Sequence, residues 1–264
     1  MLVHFSKYHG TGNDFVMIDG REKDNSLFNT SLIKRLCDRR FGIGGDGLII
    51  LEKSDRFDFT MRYFNADGKE GTMCGNGGRC ITSFAHRLGI VNEKISFEGI
   101  DGLHSASILP GGDVKLKLAD VTGIERLKDG YLLNTGSPHF VKLVKNLDEV
   151  DVRVDGAEIR HQKRFGEGGV NVNFIESGPD SEEISVRTFE RGVEAETWSC
   201  GTGVTASALA VHLHFMSDTF SYRIKTRGGL LNVSFSPGDY KNYTDIYLTG
   251  PVSHVYDGTI DVVV

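Results

Sequence analysis

The chain of 264 residues has only four cysteines, Cys37, Cys74, Cys80 and Cys200. That is too few, in a chain of this size, to read as a disulfide framework. Cys74 and Cys80 lack the close pairing of a zinc knuckle, and no Cys/His cluster completes a ligand set, so no metal is expected. No apolar run approaches the ~20 residues that cross a bilayer. Basic charge is not in excess: 30 Lys and Arg stand against 36 Asp and Glu, a net charge of −6, which argues against a nucleic-acid or membrane partner. The opening MLVHFSKYHG has no charged-then-apolar signal pattern, and the expected location is cytoplasmic. No GxxxxGK[ST] run is present. The glycine loop 41–47 (FGIGGDG) precedes a strand, the reverse of a dinucleotide fingerprint. Nothing suggests a pyridoxal cofactor.

Glycine, by contrast, is plentiful and clustered, with 33 residues. Two clusters organise the rest: Met73-Cys74-Gly75-Asn76-Gly77-Gly78-Arg79 and its echo Ser199-Cys200-Gly201-Thr202-Gly203. Each sets one cysteine before a glycine turn, and each turn opens a segment of helical spacing, 79–88 and 204–215. A helix start leaves N–H groups unpaired and carries partial positive charge, which favours a thiolate and holds a carboxylate. Glycine leaves the approach open.

The pattern predicts strands at 2–6 and 15–18 around the turn His9 to Asp14, where Asn13 is a candidate ligand group, and a helix over 31–39 with Leu32, Ile33 and Leu36 on one face, capped by Thr30 or Ser31. Strands follow at 48–51 and 57–64, then short strands over 94–118. The region 121–130 reads as a polar connection, and strand character resumes at 131–144. Alternating Val170, Asn171, Val172, Asn173, Phe174 puts two amides on one strand face, which is expected to be solvated or to meet polar ligand groups. Strands are expected at 184–189, 222–226, 230–235, 245–250 and 259–264. The two halves rhyme, which predicts two similar domains, 1–119 and 120–252, with the C-terminal strand 253–264 returning to the first.

Two lone thiols suit three chemistries. A redox pair usually sits close, as Cys-x-x-Cys, and these are far apart. A single nucleophile would leave the echo unexplained. Proton transfer at a carbon centre needs two bases of similar strength on opposite faces, one charged and one neutral, and a thiolate and a thiol meet that need. The carbanion's carboxylate would be held by helix-start amides.

The chain resembles the diaminopimelate epimerase family over nearly its whole length, through KYHGTGNDFVMID, RRFGIGGDG, FNADGKEGTMCGNGGRC, TGSPH, FERG, ETWSCGTG and TGPVSHVYDG in that order. The resemblance implies a mixed α/β (α+β) fold of two pseudo-symmetric domains, each a curled, mostly antiparallel sheet around a central helix, usually in a homodimer. It implies a cofactor-independent isomerase acting on the small molecule LL-2,6-diaminopimelate, in lysine and peptidoglycan precursor synthesis. Cys74 and Cys200 would be the acid and base, donor and acceptor respectively for the LL isomer. Gly75, Asn76, Gly201 and Thr202 would bind the α-carboxylate, and Glu190 and His139 would position the reacting end. Asn13, Asn65, Asn171 and Arg191 would hold the substrate. Three positions depart from the family: glycine at Gly47, where glutamine is frequent; serine at Ser137, where asparagine is frequent; and one extra residue between Glu190 and Cys200. The related proline racemase and hydroxyproline epimerase family typically has histidine where this chain has Asn76. A non-catalytic binding protein would have no use for two opposed thiols.

Overall fold

Apolar strands alternate with helices in the order β1 (Leu2–Gly10), β2 (Asn13–Asp19), α1 (Thr30–Cys37), β3 (Gly47–Glu52), β4 (Phe59–Asn65), β5 (Glu70–Gly71), α2 (Gly75–Arg87), β6 (Lys94–Gly99), β7 (Gly102–Ile108) and β8 (Val114–Lys117). There follow β9 (Glu125–Leu127), β10 (Gly130–Asn134), β11 (Pro138–Leu143), α3 (Val152–Arg160), β12 (Asn171–Glu176), β13 (Glu183–Glu190), β14 (Ala195–Thr197), α4 (Gly201–Phe215), β15 (Ser221–Thr226), β16 (Gly229–Pro237), β17 (Tyr243–Gly250) and β18 (Ser253–Asp261). This computed structural model describes residues 2–22, 24–178 and 181–262. Contacts divide the chain into two compact units, Met1–Leu116 with Gly250–Val264, and Lys117–Thr249.

In the first unit β18 pairs antiparallel with β1 and β1 with β2. The β1–β2 turn is Thr11-Gly12, both at positive φ (49° and 87°), as a two-residue hairpin of this hand requires. β2 and β3 are parallel, with α1 as the crossover; β3 and β4 are antiparallel; β4 and β6 are parallel, with α2 as the crossover; β6–β7 and β7–β8 are antiparallel. Parallel neighbours need such a crossover, usually helical. The second unit repeats the scheme. β9–β10 and β10–β11 are antiparallel, β11–β12 parallel across α3, β12–β13 antiparallel, β13–β15 parallel across α4, and β15–β16 and β16–β17 antiparallel.

Strands β2 and β3 of the first unit and β12 of the second are buried on both faces, whereas β7, β15 and β16 alternate exposed with buried residues. Val16, Ile18, Leu48 and Ile50 pack with Leu32, Ile33 and Leu36 of α1. Their alternates Phe15, Met17, Ile49 and Leu51 are equally buried, on the α2 side, where Gly77 lies close to Ile49 and Met61. That is why β2 and β3 read as continuous apolar runs instead of alternating. α2 touches β1, β2, β3 and β7, and α4 touches β10–β13, β15 and β16; each sheet curls round its helix. α4 is buried continuously from Gly203 to Val211, as a helix that is apolar all round must be. α3 covers the other face through Val152 and Ile159 against Val172, Phe174 and Phe189.

Several expectations are revised. α2 and α4 begin directly after the cysteines, so the glycine turns are the helices' first turns, and Cys74 and Cys200 are the N-caps. Glycine's helical penalty is outweighed by close packing: a Cβ on Gly203 would lie 2.4 Å from Asn173 Oδ1, and one on Gly78 2.8 Å from Met73 Sδ. The amide face of β12 is not solvated: Asn171 and Asn173 are buried and hydrogen-bonded within the protein. The cap of α1 is Asn29, whose side chain accepts from the Leu32 N–H. α3 was not expected, being short and polar with Gly156 in its middle. That glycine admits Phe189, whose Cβ would be 2.4 Å from an added methyl. β9 interrupts the supposed connection at 121–130. The final strand runs Ser253–Asp261, earlier than 259–264; Val263 and Val264 lie outside the described residues.

Candidate active site

In the first unit Cys74 caps α2. Its Sγ accepts the Gly77 N–H at 3.2 Å, and its carbonyl accepts the Gly78 N–H at 2.8 Å. A line of amides runs from this turn to the start of β2: Arg79 donates to Asn76 Oδ1 at 2.6 Å, Asn76 to Asn13 Oδ1 at 3.2 Å, and Asn13 to Asp46 Oδ2 at 2.7 Å. Asp46 and Asp14 share Arg39, and Lys7 reaches Asp14 at 2.6 Å. Burial alone would raise the Asp14 carboxyl, but hydrogen bonds from Arg39 and Lys7 hold it down at about 2. Asn65, exposed at the end of β4, accepts from the Tyr63 hydroxyl at 2.9 Å.

In the second unit Cys200 caps α4, with its Sγ 3.5 Å from Thr202 Oγ1. Thr202 Oγ1 is 2.9 Å from His139 Nε2, and His139 Nδ1 is 3.1 Å from Asn173 Nδ2. The same Nδ2 also donates to the Phe140 carbonyl, while Asn173 Oδ1 accepts from Thr188 at 2.9 Å. The amide orientation is thereby fixed, so His139 Nδ1 accepts. Burial pushes His139 down to about 3, with the Arg191 charge adding to it. The ring is therefore neutral near pH 7, carries its proton on Nε2, and donates it to Thr202. The Thr202 hydroxyl is left to donate toward Cys200. Asn171 donates to Ser137 Oγ at 3.0 Å and accepts the Arg191 N–H at 2.8 Å. Glu190 ends β13 and its carbonyl accepts the Glu194 N–H. The Arg191 side chain is exposed.

A family model described as diaminopimelate epimerase matches residues 5–124 and 131–255. The diaminopimelate epimerase of Flavobacterium psychrophilum is 47% identical over 255 residues, covering 96% of this chain and 98% of that one. That of Chlorobaculum tepidum is 43% identical over 262 residues, covering 95% and 98%. The chain belongs to the diaminopimelate epimerase family. Among solved structures, a phenazine biosynthesis protein of the PhzF family from Bacillus anthracis superposes with a TM-score of 0.79 at 14% identity, covering 99% of this chain and all of that one. A hydroxyproline epimerase from Agrobacterium vitis with bound trans-4-hydroxy-L-proline gives 0.70 at 14%, covering 98% and 92%. At that identity the likeness is one of fold.

The family frame makes sense of the departures. Gly47 pairs with Asn65 across β3–β4. A Cβ there would lie 2.5 Å from the Phe64 carbonyl and 2.7 Å from the Tyr63 ring, so the place of the frequent glutamine is filled by Tyr63 and main chain. Ser137 serves Asn171. The longer segment after Glu190 turns through Gly192 and Glu194 at positive φ and is tied to α3 by the Arg160–Glu194 ion pair at 2.7 Å. The fold brings Asn13 and Asn76 to Cys74 in one unit, and His139 and Thr202 to Cys200, with Asn171 beside His139, in the other. Arg79 and Asn173 join these networks and were not singled out as site residues. The signal for Arg79 was a long cation inside a run of small residues at a helix start.

Proposed function

We propose that this chain interconverts LL- and meso-2,6-diaminopimelate with Cys74 and Cys200 as acid and base, without metal or pyridoxal phosphate. The supporting observation is that each structural repeat places a cysteine at the N-cap of the helix its strands surround, in a chain of this family. One thiolate takes the α-proton; the electron pair stays on the carbon and delocalises into the carboxylate. The other thiol returns a proton to the opposite face, and the two sulfurs end with exchanged charge. Gly75, Asn76, Gly201 and Thr202 bind that carboxylate at the helix starts. Glu190 and neutral His139 position the reacting end; Asn13, Asn65, Asn171 and Arg191 hold the rest of the substrate. The enzyme works in the cytoplasm as a homodimer, a state that light scattering of the purified chain tests.

The deciding experiment is solvent deuterium uptake followed by proton NMR. Reduced protein in D₂O receives LL-diaminopimelate, with L-proline and trans-4-hydroxy-L-proline in parallel. Exchange at one α-carbon of diaminopimelate alone, with meso product, is the expected result. Exchange on a proline instead overturns the substrate. Near-normal turnover in Cys74→Ala or Cys200→Ala overturns the two-base chemistry.

A further inference from the structure

The buried Arg79 side chain ties three segments of the first unit together. It donates to Asn76 Oδ1 at 2.6 Å in the first turn of α2, to Thr11 Oγ1 at 3.3 Å in the β1–β2 turn, and to the Pro251 carbonyl at 3.2 Å ahead of β18. Thr11 is a buried β-branched residue at φ 49°, a conformation such residues rarely adopt, and the Arg79 bond braces it. Asn13 follows two residues later. On its far side stands Asp46, whose own main chain is fixed: its N–H donates to the Asp14 carbonyl at 2.8 Å and its carbonyl accepts the Ala66 N–H at 3.2 Å. The Asp46 carboxylate takes Arg39 at 2.8 Å and Asn13 Nδ2 at 2.7 Å.

A carboxamide can be turned either way, and its neighbours decide which. Arginine has only donors, so the Asn76 atom facing Arg79 is the oxygen. A carboxylate ion-paired to arginine has only acceptors, so the Asn13 atom facing Asp46 is the nitrogen. The two ends dictate the same direction independently, and the link between them, Asn76 Nδ2 to Asn13 Oδ1 at 3.2 Å, agrees with both. Reversing Asn76 would set N–H against N–H at Arg79; reversing Asn13 would set C=O against a carboxylate at Asp46. The oxygen of Asn13 is thus turned to Asn76, and Asp46 takes one of its two N–H groups. The other N–H is what this partly exposed side chain has left for a ligand. Lys7, Asp14, Arg39 and Asp46 pair among themselves. Their charges balance, and selectivity at Asn13 falls to the amide.

We propose that Arg79 and Asp46 are positioning residues that lock Asn76 and Asn13 in one direction, so that Asn13 shows the substrate an N–H and never a C=O. Its place in the site then takes a carboxylate and turns away an ammonium. This rests on the proposed function in setting Asn13 at the non-reacting end of diaminopimelate, which bears one of each.

The lock is read without substrate. Neutron diffraction from deuterium-exchanged crystals of the free protein should find the Asn13 deuterons on the atom facing Asp46; deuterons on the atom facing Asn76 overturn the proposal. Selectivity is read with two probes that each keep half of the non-reacting end: L-2-aminopimelate has its carboxylate without the ammonium, and L-lysine its ammonium without the carboxylate. Calorimetry compares their binding to the unaltered chain and to the charge-neutral swap Asn13→Asp with Asp46→Asn. In the swap the carboxylate at position 13 still accepts from Asn76 and from the amide at position 46, but shows the ligand an oxygen. Aminopimelate should bind roughly ten- to a hundredfold more weakly to the swap, and lysine as well as before or better. Equal weakening of both probes would mark a merely structural role and overturn the proposal, as would a greater loss for lysine. Failure of the unaltered chain to bind either probe or LL-diaminopimelate overturns the substrate reading and the selectivity with it, and the neutron map alone then judges the lock. It does so too if the swap does not fold.

Discussion

Gly47 owes its identity to a backbone carbonyl. Because the Phe64 oxygen would lie 2.5 Å from a Cβ, Gly47→Ala should lower stability by about 1–3 kcal/mol in urea unfolding. Removing the Tyr63 ring as well should not restore it; recovery in the double variant would put the clash on the ring instead. His139 makes a prediction about acid. The unfolded chain binds a proton at the ordinary histidine value near 6.5, whereas the folded ring refuses it down to about 3. The unfolded state therefore holds more protons between those values, and stability falls as pH drops through that window. At about 1.4 kcal/mol per unit, this one ring costs the fold roughly 2 kcal/mol between pH 6.5 and pH 5. Urea unfolding at pH 7.5 and pH 5 should show His139→Gln losing that much less than the unaltered chain. Equal losses in both would mean that the buried ring is not what the acid attacks.

Caps separate structure from chemistry at the two cysteines. Cys74 Sγ accepts from the Gly77 N–H, whereas the Cys200 side chain makes no cap hydrogen bond. Cys74→Ala should therefore cost about 1 kcal/mol of helix capping, and Cys74→Ser, which keeps an acceptor, should restore it. Both should lose turnover by a hundredfold or more, on the order of what a general base supplies. A Cys74→Ser chain as unstable as Cys74→Ala would show that the cap bond carries no weight. The elements were legible in proportion to how much of their signal is local. The runs of β2 and β3, the apolar stripe of α1 and the length of α4 are written in consecutive residues. Other features depend on partners remote in sequence. The first turns of α2 and α4 look like loops until Asn173, Met73 and Leu116 are seen to fill the space beside their glycines. α3 looks polar until Phe189 is seen against Gly156. The polar face of β12 did not read as one satisfied within the protein, because neither His139 nor Thr188, which satisfy Asn173, is near it in the chain. The motifs carried the cysteines and their neighbours. They gave no weight to Arg79, whose acceptors Asn76, Thr11 and the Pro251 carbonyl are brought together by the fold.

Across the whole molecule, one strand scheme is used twice, with matching positions filled differently: Asn76 and Thr202 two residues after each cysteine, Arg79 and Thr205 five after, Asn65 and Glu190 at the ends of β4 and β13. The scaffold repeats while the side chains at matching positions diverge. The repeat is closed by chain ends in the first unit only. β18 lies along β1 from Leu2–Asp261 to His9–Ser253, Val262 is wholly buried beside the α1 core, and the Pro251 carbonyl accepts from Arg79. The Arg87–Asp257 ion pair, at 2.6 Å, also crosses to this strand, but both partners are half-exposed and such a pair adds little. The strand's weight lies in its backbone ladder and in Val262. A chain ending at Gly250 should therefore lose stability locally. Hydrogen exchange should show the amides of β1 and α1 losing protection while those of β12 and α4 in the second unit keep theirs, since the second unit has its own core around Phe140, Phe174 and Phe189. Equal loss in both units would mean that the molecule opens as one cooperative body, and no loss in β1 would mean that β18 is an ornament on the sheet edge.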